Sequence, residues 1–342
     1  MKKKLLLALA VIFLIAAIVG YSFYQKIYSP NVPETSMIFI PTGTDFEKLI
    51  EIIKPHVDNI DSFVWVAEKK NYPNKIRAGK FKVTGGMNNE SLVDHLRGGK
   101  QETVTVTFNN QDSFEKLAGR VSSQIEADST ALLDIFQNVD FMTKNSFDKE
   151  TAIAMYIPNS YDFYWNTSAE KFRDKMLNEY RKFWTKDRIA QAKEQKLTPI
   201  QVSTLASIVQ KETSAIKERK TVAGLYLNRL HDFWPLQADP TIIFALKQKY
   251  GQDKEYKRVL NKDLTIDSPY NTYVNFGLPP GPIAMPDISS IDAVLQPEKH
   301  GYYYMCASVE NIGYHKFAKT LKQHNINAAA YQKWVSQQGI NR

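Results

Sequence analysis

Three lysines, Lys2 to Lys4, precede a stretch from Leu5 to Phe23 that carries no charge and is almost wholly aliphatic and aromatic. A run of that length is about enough to cross the hydrocarbon core of a bilayer as a helix. No water is present there to satisfy backbone N–H and C=O groups, so a lone apolar segment has only the helix open to it. The constraint extends downstream. The lysines hold the short end in the cytoplasm, which places the rest of the chain outside it. Tyr21, Phe23, Tyr24 and Tyr28 suit the outer interface. A cleaved signal peptide is the rival reading, but the run is long for one and no Ala-x-Ala site follows it. The expectation is therefore a cytoplasmic tail over 1–4, a transmembrane helix over 5–23, and a polar stalk over 24–36 that contains Pro30 and Pro33.

The remaining chain is ordinary globular material, 43% hydrophobic and 23% charged in 342 residues, enough for two or three domains. The net charge of +8 suits an anionic envelope or membrane surface. No motif of interleaved aromatic and basic residues accompanies it, so nucleic acid is not an expected partner. Cys306 is the single cysteine and excludes an intramolecular disulfide framework; it reads as a small buried apolar residue. Six histidines without ligand-like spacing argue against a metal site. No glycine-rich phosphate loop is present, and no Ser-His-Asp order can be read.

After the stalk, a compact module is expected over 37–100. Met37 to Ile40 is strand-like, and Thr44-Asp45-Phe46-Glu47 reads as a capping box opening a helix with Phe46, Leu49, Ile50 and Ile53 on one side. A second helix is expected over Asp61 to Lys70, a strand over Gly79 to Val83, and a third helix from Asn89 to Leu96, stopped at Gly98-Gly99. Thr103 to Phe108 alternates as a strand. Phe114-Glu115-Lys116-Leu117 then echoes Phe46-Glu47-Lys48-Leu49, a weak internal repeat in an accessory region over 101–150. From Tyr156 to Trp165 an aromatic row is either a saccharide platform or core at a junction. The helix from Ala169 to about Lys186 buries Phe172, Met176 and Tyr180 and serves as packing support.

One carboxylate stands out beyond that helix. Thr198 is a good N-cap, Pro199 fits the first helical position and Gln201 completes a capping box. Leu205, Ile208 and Val209 then form an apolar stripe, and Glu212 continues it. An acid in line with a buried stripe is partly desolvated, which raises its pKa toward that of a proton donor near neutrality. The alternative is a Glu at the stripe's edge paired with Lys or Arg.

The sequence after Glu212 resembles one family. Lys211 to Arg219 reads KETSAIKER, Asn228 to Leu230 reads NRL, Leu236 to Thr241 reads LQADPT, and Tyr270 to Ala284 reads YNTY-x3-GLPPGPIA. In this order they are similar to the YceG-like family of membrane-anchored endolytic murein transglycosylases, most strongly from Pro158 to Asn325. The resemblance implies an α+β fold: the transmembrane helix, a small LysM-like module, and a mixed α+β catalytic domain over 151–342. It implies Glu212 as catalytic acid and nascent peptidoglycan glycan as substrate. The product would be a 1,6-anhydromuramyl end that terminates strand elongation. It implies no cofactor, and as partners the inner membrane and cell-wall synthases. His315 and Tyr161 match family segments, although Tyr314 replaces a usual glycine and Gln323 a usual acid. Gln237, Tyr270, Asn271, Thr272 and Tyr273 can hydrogen-bond acetamido and hydroxyl groups. The Gly277 to Gly281 segment is expected to form a rigid groove wall beside the acid.

Glycosidases use two carboxyl groups, whereas a lytic transglycosylase needs one, because the muramyl C6 hydroxyl is the nucleophile. Asp239 is the leading candidate for a second acid, with Asp162 and Glu218 behind it; the alternative for Asp239 is a turn-starting Asp-Pro. Glu218 and Arg219 read as surface or structural pairs. A hydrolase of the same bond and a non-catalytic wall-binding protein remain as rivals. A pyridoxal-phosphate lyase needs a Schiff-base lysine and cytosolic substrates, and the anchor points away from both.

Overall fold

The computed structural model describes residues 2–338 except 253 and 257, so Met1 of the expected tail and 339–342 of the expected catalytic domain lie outside the described residues. The first helix, α1 (Lys2–Tyr28), runs past the expected span into the stretch read as stalk. It is apolar around its circumference, none of its residues is buried, and it is long and apolar enough to cross a membrane. The chain divides into two units, the first formed by 1–106, 122–128 and 161–168, the second by 107–121, 129–160 and 169–342.

In the first unit β1 (Ser36–Ile40), α2 (Phe46–Ile53), α3 (Ile60–Lys69), β2 (Gly79–Val83) and α4 (Asn89–Gly98) follow one another. β1 and β2 are antiparallel, Ser36 opposite Val83 and Ile40 opposite Gly79. Alternation turns Ile38, Ile40, Phe81 and Val83 inward, onto Leu49, Ile53, Phe63, Leu92 and Leu96 of the helices. The cap of α2 falls one residue later than expected. Asp45 accepts from the Lys48 N–H at 2.8 Å, while Thr44 turns back to the Pro41 carbonyl. A carboxylate is the stronger acceptor at the positive end of a helix.

Within the expected stalk, Asn31 and Val32 are buried. Asn31 donates to the Asn59 carbonyl and to Asn89 Oδ1, and accepts from the Asn59 N–H. Asn89 donates in turn to Ser62 and to the Lys26 carbonyl of α1. Trp65 of α3 stacks on Phe23, ring centroids 5.1 Å apart, with Lys26 and Lys69 over its ring.

β3 (Thr103–Phe108) occupies the expected strand, and α5 (Phe114–Ser122) opens on the second Phe-Glu-Lys-Leu, as α2 does on the first. α6 (Ser129–Phe136), α7 (Val139–Lys144) and β4 (Asn159–Tyr164) follow. The aromatic row divides: Tyr156 is core, against Phe114 and Phe136, whereas Tyr164 on β4 is exposed. α8 (Ala169–Phe183) buries Phe172 and Met176 as expected, but Thr185 caps a separate α9 (Lys186–Glu194).

α10 (Pro199–Glu212) is the centre of the second unit, packed by α9, α11 (Arg219–His231), α12 (Asp239–Tyr250) and α13 (Ile288–Leu295). Its capping box is formed as expected by Thr198 and Gln201. The one-sided stripe is not: residues Val202 to Val209 are all buried. Ser203, Thr204 and Ser207 enter this core because their hydroxyls donate to carbonyls one turn back, on Pro199, Ile200 and Thr204. The unit closes with β5 (Tyr304–Ala307), antiparallel to β6 (His315–Ala318), and α14 (Leu321–Gln337).

Asn31→Ala leaves the Asn59 N–H and carbonyl and Asn89 Oδ1 without their partner in a buried site. Urea unfolding is expected to show a loss of about 2–4 kcal/mol with an unchanged slope.

Candidate functional site

Glu212 is the last residue of α10, and a cavity of about 200 Å³ opens at that helix end. Tyr226 and Arg229, three apart on α11, project into it from one face of that helix. Gln237 and Asp239 come from the loop leading into α12, Tyr273 from the loop after it, and Met305, Cys306, Ala307 and His315 from the β5–β6 hairpin.

The electrostatics centre on Glu212. The Tyr226 hydroxyl donates to Glu212 Oε1 at 2.5 Å. Burial dominates the carboxyl's pKa and, with a smaller push from the Asp239 charge, lifts it to about 7 against the pull of Tyr226, His315 and Arg229. The last-turn carbonyls of α10 face the same end and also disfavour an anion there. Tyr226 itself is 1% exposed, and burial followed by the adjacent Glu212 pushes its pKa far up, so it acts as an O–H donor.

Asp239 does not make the expected turn but begins α12, where its carboxylate is exposed to the cavity and accepts from the Tyr273 hydroxyl at 2.5 Å. Gln237 is held beside it in the left-handed region, φ 49°, with its N–H bonded to the Thr272 carbonyl. A non-glycine residue there is strained and stays only where its surroundings fix it. Behind His315 lies Glu218, which is buried rather than on the surface. Its Oε1 takes the His315 Nδ1 at 2.8 Å and the Thr213 hydroxyl at 2.5 Å, and its Oε2 takes the His315 N–H at 2.9 Å. Arg219, next in sequence, is also buried and spans both oxygens of Asp287 at 2.7 and 2.8 Å.

The expected site residues thus separate. Glu212, Gln237, Asp239, Tyr273 and His315 share the cavity. Asn271 is fully buried and spends its amide on the Leu264 and Ile266 carbonyls. Thr272 is buried against Ala238 and Thr241. Tyr270 packs at a tilt against Phe244 and lines a different hollow. Tyr161 lies on β4 in the first unit and does not line the cavity.

Two expectations are corrected. Gly277 to Pro280 border a cavity with Ile200 and Thr204, at the opposite end of α10 from Glu212. Gly281 is needed there, because a Cβ would come within 2.1 Å of the Glu150 carbonyl, and Ile283 is tied to Ser207 in the middle of α10. Cys306 is half-buried and lines the Glu212 cavity, because β5 is a strand flanking that cavity and not a core strand. Tyr226 and Arg229 were the residues missed. α11 is buried around most of its surface, which erases the polar–apolar contrast; the available signal was a Tyr and an Arg one turn apart, just after the apolar run Val222 to Leu225.

Comparison with known proteins follows the same cavity-bearing region. The model of the YceG-like family matches residues 38–330. An endolytic murein transglycosylase of Bacillus subtilis is 30% identical over 322 residues, covering 88% of this chain and 85% of that protein. One of Streptococcus pneumoniae is 27% identical and covers 91% of this chain and 62% of that protein. A crystal structure of a YceG-like protein from Listeria monocytogenes is 27% identical, with a TM-score of 0.57 over 85% of this chain and 98% of that one.

A carboxyl with a raised pKa binds its proton more tightly in the folded state, so stability falls as pH rises from its unfolded value through about 7. Glu212→Gln keeps the shape without the charge. Its unfolding midpoint is expected to match wild type near pH 4 and exceed it at about pH 8–9. Equal midpoints at both pH values would show that the carboxyl is not held protonated.

Proposed function

We propose, because this chain belongs to the YceG-like family, that it is an endolytic lytic transglycosylase of nascent peptidoglycan. It cleaves the β-1,4 bond between N-acetylmuramic acid and N-acetylglucosamine, leaves a 1,6-anhydromuramyl end and so stops strand elongation. The relatives named above support the class, and the observation that carries the assignment is Glu212: a carboxyl pushed up to about 7 by burial, at the floor of an open cavity.

The chemistry follows from the geometry. Oε1 accepts from Tyr226, which leaves Oε2 to carry the proton. Glu212 gives that proton to the glycosidic oxygen as the bond to the muramyl C1 breaks. The sugar becomes oxocarbenium-like, and the Asp239 carboxylate in the same cavity stabilises the developing positive charge. The muramyl C6 hydroxyl attacks C1 from within the same sugar, and Glu212, now a carboxylate, takes the hydroxyl proton. No water is consumed, and the acid returns to its starting state. Tyr226 orients Glu212, Glu218 orients His315, and Gln237, Tyr273 and His315 hold acetamido and hydroxyl groups. Asn271 and Thr272 support the loop that carries Gln237 and Tyr273.

Location belongs to the same proposal. α1 spans the inner membrane with its lysines in the cytoplasm, and both units face the wall beside the enzymes that polymerise the glycan. The strand–helix–helix–strand order from β1 to β2 supports a LysM-like module over 37–100, followed by the accessory region and a catalytic domain over 151–342. A second reading, hydrolysis of the same bond, is favoured by one observation: Asp239 shares the cavity with Glu212. Mass spectrometry of digested uncrosslinked glycan separates them, since anhydro ends mark the transglycosylase and reducing ends the hydrolase.

Glu212→Gln is expected to lower strand cleavage at least about a hundredfold while the protein stays folded; retained cleavage would move the acid elsewhere. Wild-type activity is expected to fall as pH rises through about 7, where Glu212 loses its proton. In Tyr226→Phe the bond that stabilises the anion is gone, so this alkaline limb should move to higher pH while turnover drops. An unmoved limb would assign Tyr226 to packing alone.

A further inference from the structure

Away from the Glu212 cavity, the second unit contains a larger hollow of about 590 Å³, a size that accommodates small ligands. Phe244 and Tyr270 form part of its wall, ring centroids 4.6 Å apart. Asp148 and Glu150 line it too. Burial first, and then these two carboxylates, push the Tyr270 phenol up to about 12, so both charges lie close to that ring. Asp112 at the rim is neutralised by Lys116 and Lys211. Asp148 uses Oδ1 on the Thr151 N–H and hydroxyl. Among the described residues neither Asp148 nor Glu150 makes an ion pair, although Lys149 also lines the hollow. An aromatic wall faced by two unpaired carboxylates is suited to one ligand group above others, an ammonium.

Shared lining residues lead from this hollow toward the end of α10. A smaller one of about 120 Å³ shares Asp112 and Phe244 with it and is walled by Lys211 and Pro240. Lys211 precedes Glu212 at the end of α10, and Pro240 follows Asp239 at the start of α12. The acid cavity and the smaller hollow therefore lie at the same pair of helix ends, and the smaller hollow shares its wall with the ammonium-suited one.

Resting on the glycan-cleaving reading of the Glu212 cavity, we infer that this hollow binds the side-chain ammonium of the short peptide carried by the muramyl sugar. It thereby selects strands that are not yet cross-linked. An extended peptide advances about 3.3 Å per residue, so an amine on its third residue stands about 10 Å from the sugar. Cross-linking acylates that amine, removing its charge and adding bulk, and such a strand loses the Glu150–Asp148 contact.

Calorimetry on detergent-solubilised, full-length Glu212→Gln reads binding without cleavage. The probes are a short glycan with amine-ended peptides, the same glycan with those amines acetylated, and the peptide-free glycan. The amine-bearing probe is expected to bind about tenfold tighter than either of the others. Adding Glu150→Gln, an isosteric change at an exposed side chain, should remove that difference and leave peptide-free affinity unchanged. Equal affinity for the amine and acetylated probes, or a preference that survives Glu150→Gln, overturns the inference. Wild-type cleavage of the peptide-free glycan is scored in parallel. Its absence would sink the transglycosylase reading without touching the binding result.

Discussion

The partial desolvation of Glu212 at the end of α10 is the constraint on which the cavity's electrostatics depend. An exposed glutamate is an anion at neutral pH and has no proton to give. Here α10 is buried from Val202 to Val209 and brings Glu212, half-buried, to the cavity wall, where the helix's terminal carbonyls and the Asp239 charge add to the cost of ionising the carboxyl. Tyr226 works in the opposite sense, since its hydroxyl steadies the anion that forms once the proton has left. The acid is thus poised between its two forms, as the proposed reaction asks of a group that gives a proton and then recovers one.

That poise needs a rigid frame, and buried charge supplies much of it. Glu218 joins the end of α10, through Thr213, to the β5–β6 hairpin, through His315. Arg219 ties the start of α11 to Asp287, which in turn caps α13. Arg219 is buried and hydrogen-bonded to Asp287 in fixed geometry, so removing Asp287 would leave a buried charge unpaired, a cost of roughly several kcal/mol. Two adjacent residues therefore join four elements, α10, the β5–β6 hairpin, α11 and α13.

Local signals were legible where a short stretch determines its own conformation. The Thr198–Gln201 capping box, the β2 and β3 strands and the Gly98-Gly99 stop follow from nearest neighbours alone. Glu212 stood out as an acid aligned with Leu205, Ile208 and Val209, but that alignment also fits an edge Glu paired with Lys or Arg, and it was the segments that follow it that singled it out. What sequence reasoning missed was non-local. Whether Cys306 faces core or cavity depends on which side of its hairpin meets α10. Whether Gly277 to Pro280 lie beside the acid or at the far end of α10 depends on where Ile283 docks, some 70 residues from its partner Ser207. Asn271 and Thr272 carry the same polar groups as Gln237, and only the fold decides that theirs are spent on backbone.

The bonds from Asn89 to the Lys26 carbonyl and the stack of Trp65 on Phe23 have a mechanical consequence. A leash beginning at Tyr28 would let the first unit swing freely. Instead the outer turns of α1 are riveted to α3 and α4, so the unit rotates as the helix rotates. With α1 in a membrane as proposed, any lean that lipid imposes on that helix is delivered directly to the domain it carries.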